Sequence, residues 1–267
     1  DESAHVYQYE GGGIARNSLS SVKLIRGHQG IFNAQQVIES INPDDIHKPF
    51  SRLVVIENTS NRGGGSIWPI DKIQSVRDVC DNNNLKLHLD GARLFNALEN
   101  ANYDVLDISR KFDSISICLS KGLGCPVGSV LIGNHDFISQ ARRVRKVLGG
   151  GMRQAGFLAA AGIYALKNNI KRLREDRENA LAMAEELLHL NLVSEIIPIQ
   201  SNIVVAKTHE WQSVSDIIEL LKQQGILAVP FGKETIRFVF HKEIKKEDIP
   251  LIFERLSNIA QFTKREN

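Results

Sequence analysis

Apolar, β-rich runs alternate with helix-like segments through the first 135 residues, and this rhythm restricts the fold more than any other feature of the chain. A short run of Val, Ile and Leu suits a buried strand, and a helical spacing of apolar residues between two such runs supplies the crossover that lets them pair in parallel. The rhythm therefore predicts an α/β protein built from βα units around a mostly parallel sheet. Strands are expected at residues 22–25, 53–57, 85–89, 114–119 and 129–132, with helices at 34–41, 71–82 and 92–100 between them.

The pattern then changes. A basic helix near 137–147 runs into Gly149-Gly150-Gly151, and residues 152–166 have the broad apolar, alanine-rich face of a buried helix. Leu173, Ala180, Leu181, Ala184, Leu187 and Leu188 recur at helical spacing over 170–190, which predicts a two-faced surface helix whose charges are solvated. From residue 202 the order reads strand 203–206, helix 214–222, strand 227–229, strand 236–240 and helix 246–262, a small α+β unit. The expected division is a large domain over 1–160 and a small one over 161–267.

Composition removes several classes of function. Among 267 residues, 33 are Lys or Arg and 31 are Asp or Glu, and a net charge of +2 provides no field for a nucleic-acid partner. No stretch reaches the roughly 18–20 apolar residues of a membrane span, and Asp1-Glu2-Ser3-Ala4-His5 does not have an export pattern, so a cytoplasmic protein without a membrane partner is expected. Cys80, Cys118 and Cys125 match neither a disulfide framework nor a zinc site; they are expected to be buried thiols, with no metal bound.

Chemistry concentrates in three features: His88-Leu89-Asp90-Gly91-Ala92-Arg93 at one strand end, Ser120-Lys121-Gly122 at another, and three triple-glycine runs. Ligands of parallel sheets sit at such strand ends. An acid and a lysine converging there is the pair that pyridoxal phosphate requires. The lysine amine holds its aldehyde, and a carboxylate keeps its ring nitrogen protonated. Surface charges at loop starts fit the same two residues when taken alone. Arg153, expected in the first turn of its helix, would favour a nearby anion such as phosphate. Arg237 stands in an otherwise apolar strand, where a lone charge is costly, and its planar guanidinium suits a carboxylate; a structural ion pair is the other reading.

The stretches 88–93, 116–129 and 149–156 resemble low-specificity L-threonine aldolases, and the similarity extends over essentially the whole chain. The resemblance implies a fold-type-I, pyridoxal-phosphate-dependent carbon–carbon lyase that cleaves threonine or allo-threonine to glycine and acetaldehyde. It implies that Lys121 forms the Schiff base, that Asp90 binds the pyridine nitrogen and that His5 stacks on the ring. It also places Arg93, Arg153 and Lys146 with the cofactor, and Arg237, Arg93 and Ser60 with the substrate. A homo-oligomer, tetramer or dimer, acting on a small amino acid, is the implied assembly.

Two departures from the family pattern qualify this. Ser60 stands where members commonly carry a histidine near the substrate β-hydroxyl, and a neutral serine is a poor base for that proton. Members also carry a further segment before the His5 motif, including a turn that cups the cofactor phosphate, so the chain is expected to be a fragment or a natural truncation. A pyridoxal-phosphate-dependent β-eliminating lyase and a truncated, non-catalytic paralogue are the alternatives these departures leave.

Overall fold

A computed structural model describes residues 1–263. It forms two compact units, Asp1–Ile170 and the chain from Lys171 on. In chain order the first unit contains α1 (His5–Gln8), α2 (Gly13–Ser18), α3 (Ala34–Ser40), β1 (Leu53–Glu57), α4 (Ile70–Asn82), β2 (Lys86–Gly91), α5 (Leu94–Leu98), α6 (Val105–Ser109), β3 (Ser114–Cys118), β4 (Ser129–Gly133), α7 (His135–Val147) and α8 (Gly156–Asn168). The sheet runs β1-β2-β3-β4, with the first three strands parallel and β4 antiparallel at one edge.

Side chains alternate across a strand, so the register sorts this sheet into two faces. Val54, Ile56, Leu87, Leu89, Ile115 and Ile117 share one face and are all buried. They join Ile73, Val76, Val79 and Cys80 of α4 and the fully buried Trp68 in one core. Each such aliphatic side chain stabilises the fold by about 1.5–3 kcal/mol when taken from water. A polar tie reinforces the packing: Asp113 accepts the Leu87 N–H at 2.8 Å and pairs with Arg77 of α4 at 2.7 Å and with Lys86 at 2.9 Å. Burial alone would raise the Asp113 pKa, but these donors outweigh it and bring it down to about 2.

The second unit contains α9 (Leu173–His189), β5 (Glu195–Ile196), β6 (Ile203–Lys207), α10 (Val214–Gln223), β7 (Val229–Pro230), β8 (Thr235–Val239) and α11 (Ile249–Thr263), the last preceded by a 3-10 turn at Lys246–Asp248. Its sheet, β5-β6-β8-β7, is antiparallel throughout. Val204, Ala206, Ile236 and Phe238 form the core with Leu187 of α9, Leu221 of α10 and Leu256 of α11.

Several expectations are corrected. Residues 22–25 are not a strand: Val22 and Leu24 are exposed, and the segment has no ladder partner among the described residues. The helix expected from 152 begins at Gly156, because Gln154 takes the left-handed conformation at φ 51°. Arg153 consequently precedes the helix instead of lying in its first turn. That helix is also not buried as expected; only Gly162 and Ala165 are, while Phe157 is 90% exposed. The charges of α9 are not all solvated: Asp176 is fully buried against Arg172. Burial pushes its carboxyl above the ordinary range despite that partner. Cys118 is half-buried, whereas Cys80 and Cys125 are buried. Among the described residues, no helix is long and apolar enough to cross a membrane.

Candidate active site

The second face of the parallel sheet is where chemistry collects. Register places Glu57 of β1, His88 and Asp90 of β2, and Ser114, Ser116 and Cys118 of β3 on that face, opposite the aliphatic core. A sheet face carrying these groups has little to gain from apolar cover, and most of them are only half-buried. His88 Nδ1 lies 2.8 Å from Ser114 Oγ, and burial lowers the imidazole pKa against the opposing pull of Asp90. An imidazole so shifted is neutral at pH 7.

Asp90 is in register with Glu57 on one side and Ser116 on the other, at the C-terminal end of β2. Its Oδ1 accepts the Ala92 N–H at 3.1 Å, which fixes the carboxylate against the turn into α5. The next residue has to be glycine: a Cβ on Gly91 would stand 2.8 Å from the Ser116 carbonyl oxygen, so its absence lets β2 and β3 close up there. Arg93 is half-buried and occupies the N-cap position of α5.

Lys121 follows β3 by three residues and is half-buried. Its loop is held by the Leu119 N–H on Gly128 O at 2.9 Å, the Cys125 N–H on Leu119 O at 3.0 Å and the Gly124 N–H on Lys121 O at 2.8 Å. Because β2 and β3 are adjacent and parallel, Asp90 and Lys121 belong to the same end of the sheet.

The turn after β1 forms one wall. Glu57 is 6% exposed, with Oε1 accepting the Asn61 N–H at 2.8 Å and Oε2 accepting the His5 N–H at 2.9 Å. Burial pushes its carboxyl above the ordinary range and Asp90 adds to this, while the two N–H groups pull the other way. Asn58 is fully buried; it donates to the Tyr103 hydroxyl at 2.9 Å and accepts the Trp68 N–H at 3.2 Å. Ser60 is 1% exposed, packed under Gly30, and its Oγ accepts the Gly63 N–H at 3.3 Å. His5 is half-buried; it stacks on Tyr9 with ring centroids 5.1 Å apart and places Nε2 2.8 Å from Glu10.

Lys146 and Arg153 are exposed on α7 and just ahead of α8. A Cβ on Gly151 would meet Lys146 Cδ at 2.6 Å, so the glycine run lets that side chain fold back over it. In the second unit, Arg237 of β8 is half-buried with its guanidinium 5.2 Å from the centre of the Phe231 ring. Glu57, Ser114, Ser116 and Cys118 were not singled out by sequence reasoning. The polar–apolar alternation along β2 and β3 was the signal available for three of them.

A parallel sheet with one antiparallel edge strand, helices around it, and a small antiparallel domain to follow is the fold-type-I architecture of pyridoxal-phosphate-dependent enzymes. Solved structures agree: the threonine aldolase of Leishmania major matches with a TM-score of 0.81 at 20% identity, covering 97% of this chain and 76% of that one. A PLP-dependent aminotransferase of Streptococcus suis matches with a TM-score of 0.63 at 18% identity over 80% of this chain and 58% of its own. The beta-eliminating lyase family model matches residues 1–209. The low specificity L-threonine aldolase of Escherichia coli K12 is 39% identical over 249 residues, 93% of this chain and 72% of that protein. The low-specificity L-threonine aldolase 1 of Arabidopsis thaliana is 33% identical over 254 residues, 93% and 71% respectively. The chain belongs to the beta-eliminating lyase family, among its low-specificity L-threonine aldolases.

Proposed function

We propose that this protein is a pyridoxal-phosphate-dependent aldehyde-lyase that cleaves L-threonine, L-allo-threonine and similar β-hydroxy-α-amino acids to glycine and an aldehyde. The observation that carries the reading is the placement of Asp90 at the end of β2 and of Lys121 just after the end of the adjacent parallel β3, beside a sheet face lined with polar groups. That donor set fits the cofactor, because an acid, an amine and a polar floor are what its ring nitrogen, aldehyde and hydroxyl need. When bound, pyridoxal phosphate supplies an electron sink for the pair left on Cα as the Cα–Cβ bond breaks.

The chain's own groups do the rest. Asp90, held by the Ala92 N–H, would keep a proton on the pyridine nitrogen. Lys121 Nζ would hold the cofactor through its aldehyde and would be the amine placed to move a proton at the substrate's Cα. His5 would cover the ring, Arg153 would face the phosphate, and Arg93 and Lys146 would stand with the cofactor. A planar guanidinium suits the substrate carboxylate, the role that the resemblance gives to Arg237 and to Arg93. Ser60, assigned to the substrate side by resemblance, has its hydroxyl buried at the Gly63 N–H and is a poor base for the β-hydroxyl proton. The enzyme acts in this reading as a cytoplasmic homo-oligomer, a tetramer or dimer, which sedimentation equilibrium tests.

The deciding experiment loads the protein with pyridoxal phosphate, reduces it with borohydride and maps the modified residue. A label on Lys121, lost in Lys121→Ala, supports the assignment, and a label elsewhere overturns it. Incubation with threonine separates the chemistries: glycine with acetaldehyde supports aldol cleavage, whereas ammonia with a keto acid would make the protein a β-eliminating lyase.

A further inference from the structure

The buried carboxylate of Glu57 has no part in the chemistry above, yet it connects two elements that frame the site. It leaves the end of β1 beside Asp90, its register partner. One oxygen takes the peptide N–H of His5, 52 residues earlier in the chain, and the other takes the peptide N–H of Asn61. A carboxylate at 6% exposure next to a second carboxylate is an expensive way to fill space. Leucine would pack there at lower cost, and glutamine could accept only one of the two N–H groups, since its amide nitrogen is itself a donor. Only an acid satisfies both.

The segment bearing His5 is tied on its upstream side, where the Glu2 N–H meets Ile25 O at 2.9 Å and Asp1 Oδ2 accepts the Gly27 N–H at 2.7 Å, but the bond to Glu57 is the one made at His5 itself from outside the segment. Helix α1 is four residues long, has no side-chain cap and buries none of its own residues. The contacts of the His5 ring, to Tyr9 and Glu10, lie within the same exposed segment, and Tyr9 in turn lies 5.9 Å from the Arg62 guanidinium of the turn that Glu57 holds. At its other oxygen, Glu57 holds the start of the turn that carries the buried Gly63–Gly65 run. We propose that Glu57 is a positioning residue: its carboxylate joins the backbone of His5 to that of Asn61 and so aims the His5 imidazole at the cofactor ring. This rests on the reading that pyridoxal phosphate binds at Lys121 with His5 over it.

The test is a double-mutant cycle on the full chain with pyridoxal phosphate, using Glu57→Gln, His5→Ala and the pair. Two quantities are read: cofactor affinity by equilibrium dialysis, and visible circular dichroism per bound cofactor, which reports how the ring is held. Glu57→Gln is expected to weaken binding about tenfold and to halve the dichroism, as loss of an outer supporting partner does elsewhere. With the imidazole removed by His5→Ala, adding Glu57→Gln should change affinity less than about twofold, because the group it aims is gone. Equal losses in both backgrounds would mean that Glu57 acts through Asp90 or the fold and would overturn the proposal, as would an unchanged affinity and dichroism. Should far-ultraviolet dichroism show Glu57→Gln unfolded, Glu57→Asp runs the same cycle, keeping the charge but withdrawing it by one methylene from both N–H groups. Failure of the underlying reading looks different: the unmodified protein would then carry no borohydride-trapped cofactor on Lys121.

Discussion

Gly30 is a position where a single added methyl group should be costly. It lies at φ 80°, and a Cβ there would stand 2.0 Å from Ser60 Oγ and 2.6 Å from Ser60 Cβ. The left-handed backbone contributes about 1–2 kcal/mol of strain for an alanine. Rotating the serine hydroxyl relieves the first contact but leaves the second, so overpacking adds about 1–3 kcal/mol. Gly30→Ala should therefore destabilise the first unit by about 2–5 kcal/mol. Urea unfolding followed by tryptophan fluorescence measures this, because Trp68 is fully buried in that unit while Trp211 is 59% exposed. Ser60→Gly removes both clashing atoms, so in that background Gly30→Ala should cost only the strain of about 1–2 kcal/mol. A cost below about 1 kcal/mol in the parent, or an equal cost in both backgrounds, would refute the close packing of the two segments. The same packing implies that Ser60→His has to displace the chain around Gly30 before a histidine can reach the substrate.

Three further outcomes are expected. Asp113→Asn should lower stability by about 1–2 kcal/mol at pH 7, the shift being discounted for partial exposure. Because the folded pKa of Asp113, about 2, lies below the ordinary 3.8, its contribution is complete above that ordinary value and fades as pH falls towards the folded one. The gap in urea midpoint between parent and variant should accordingly narrow from pH 6 to pH 3; a constant gap would contradict the ion-pair account. Asn58→Ala should cost about 1–3 kcal/mol, since it strands the Trp68 backbone N–H in the core and leaves the Tyr103 hydroxyl only its bond to the Trp68 carbonyl, and thermal unfolding of the variant checks it. Arg237→Lys should raise KM for threonine about tenfold with a smaller change in kcat, as expected when a two-pronged carboxylate grip becomes a point charge; an unchanged KM would return Arg237 to a structural role.

How much of this could be read from the chain varies with the distance over which each feature is encoded. Strand β1 matches its expected bounds, and Lys86–Gly91 shows its two faces in plain alternation, since a half-buried strand writes its pattern locally. Residues 22–25 have the apolar character of a strand but not the partner, and a strand is a property of a pair. The start of α8 depends on a left-handed Gln154, for which glutamine carries no signal. The placement of Asp90 and Lys121 at one end of the sheet was legible because each stands in a compact motif at a strand end. The Glu57 bond to His5 and the contact of Gly30 with Ser60 join residues far apart in the chain, and no local periodicity records such meetings.

The sheet at the centre of the first unit separates two kinds of freedom. Val55 and Glu57 look one way while Val54 and Ile56 look the other, and the register continues the same two faces across the next two strands, through His88 and Asp90 to Ser114 and Ser116 on one side and through Leu87 and Leu89 to Ile115 and Ile117 on the other. Selection, or a protein engineer, can therefore rewrite the reactive surface at every second residue and leave the scaffold beneath it untouched. A family of enzymes with diverging reactions on a constant frame is what such an arrangement permits.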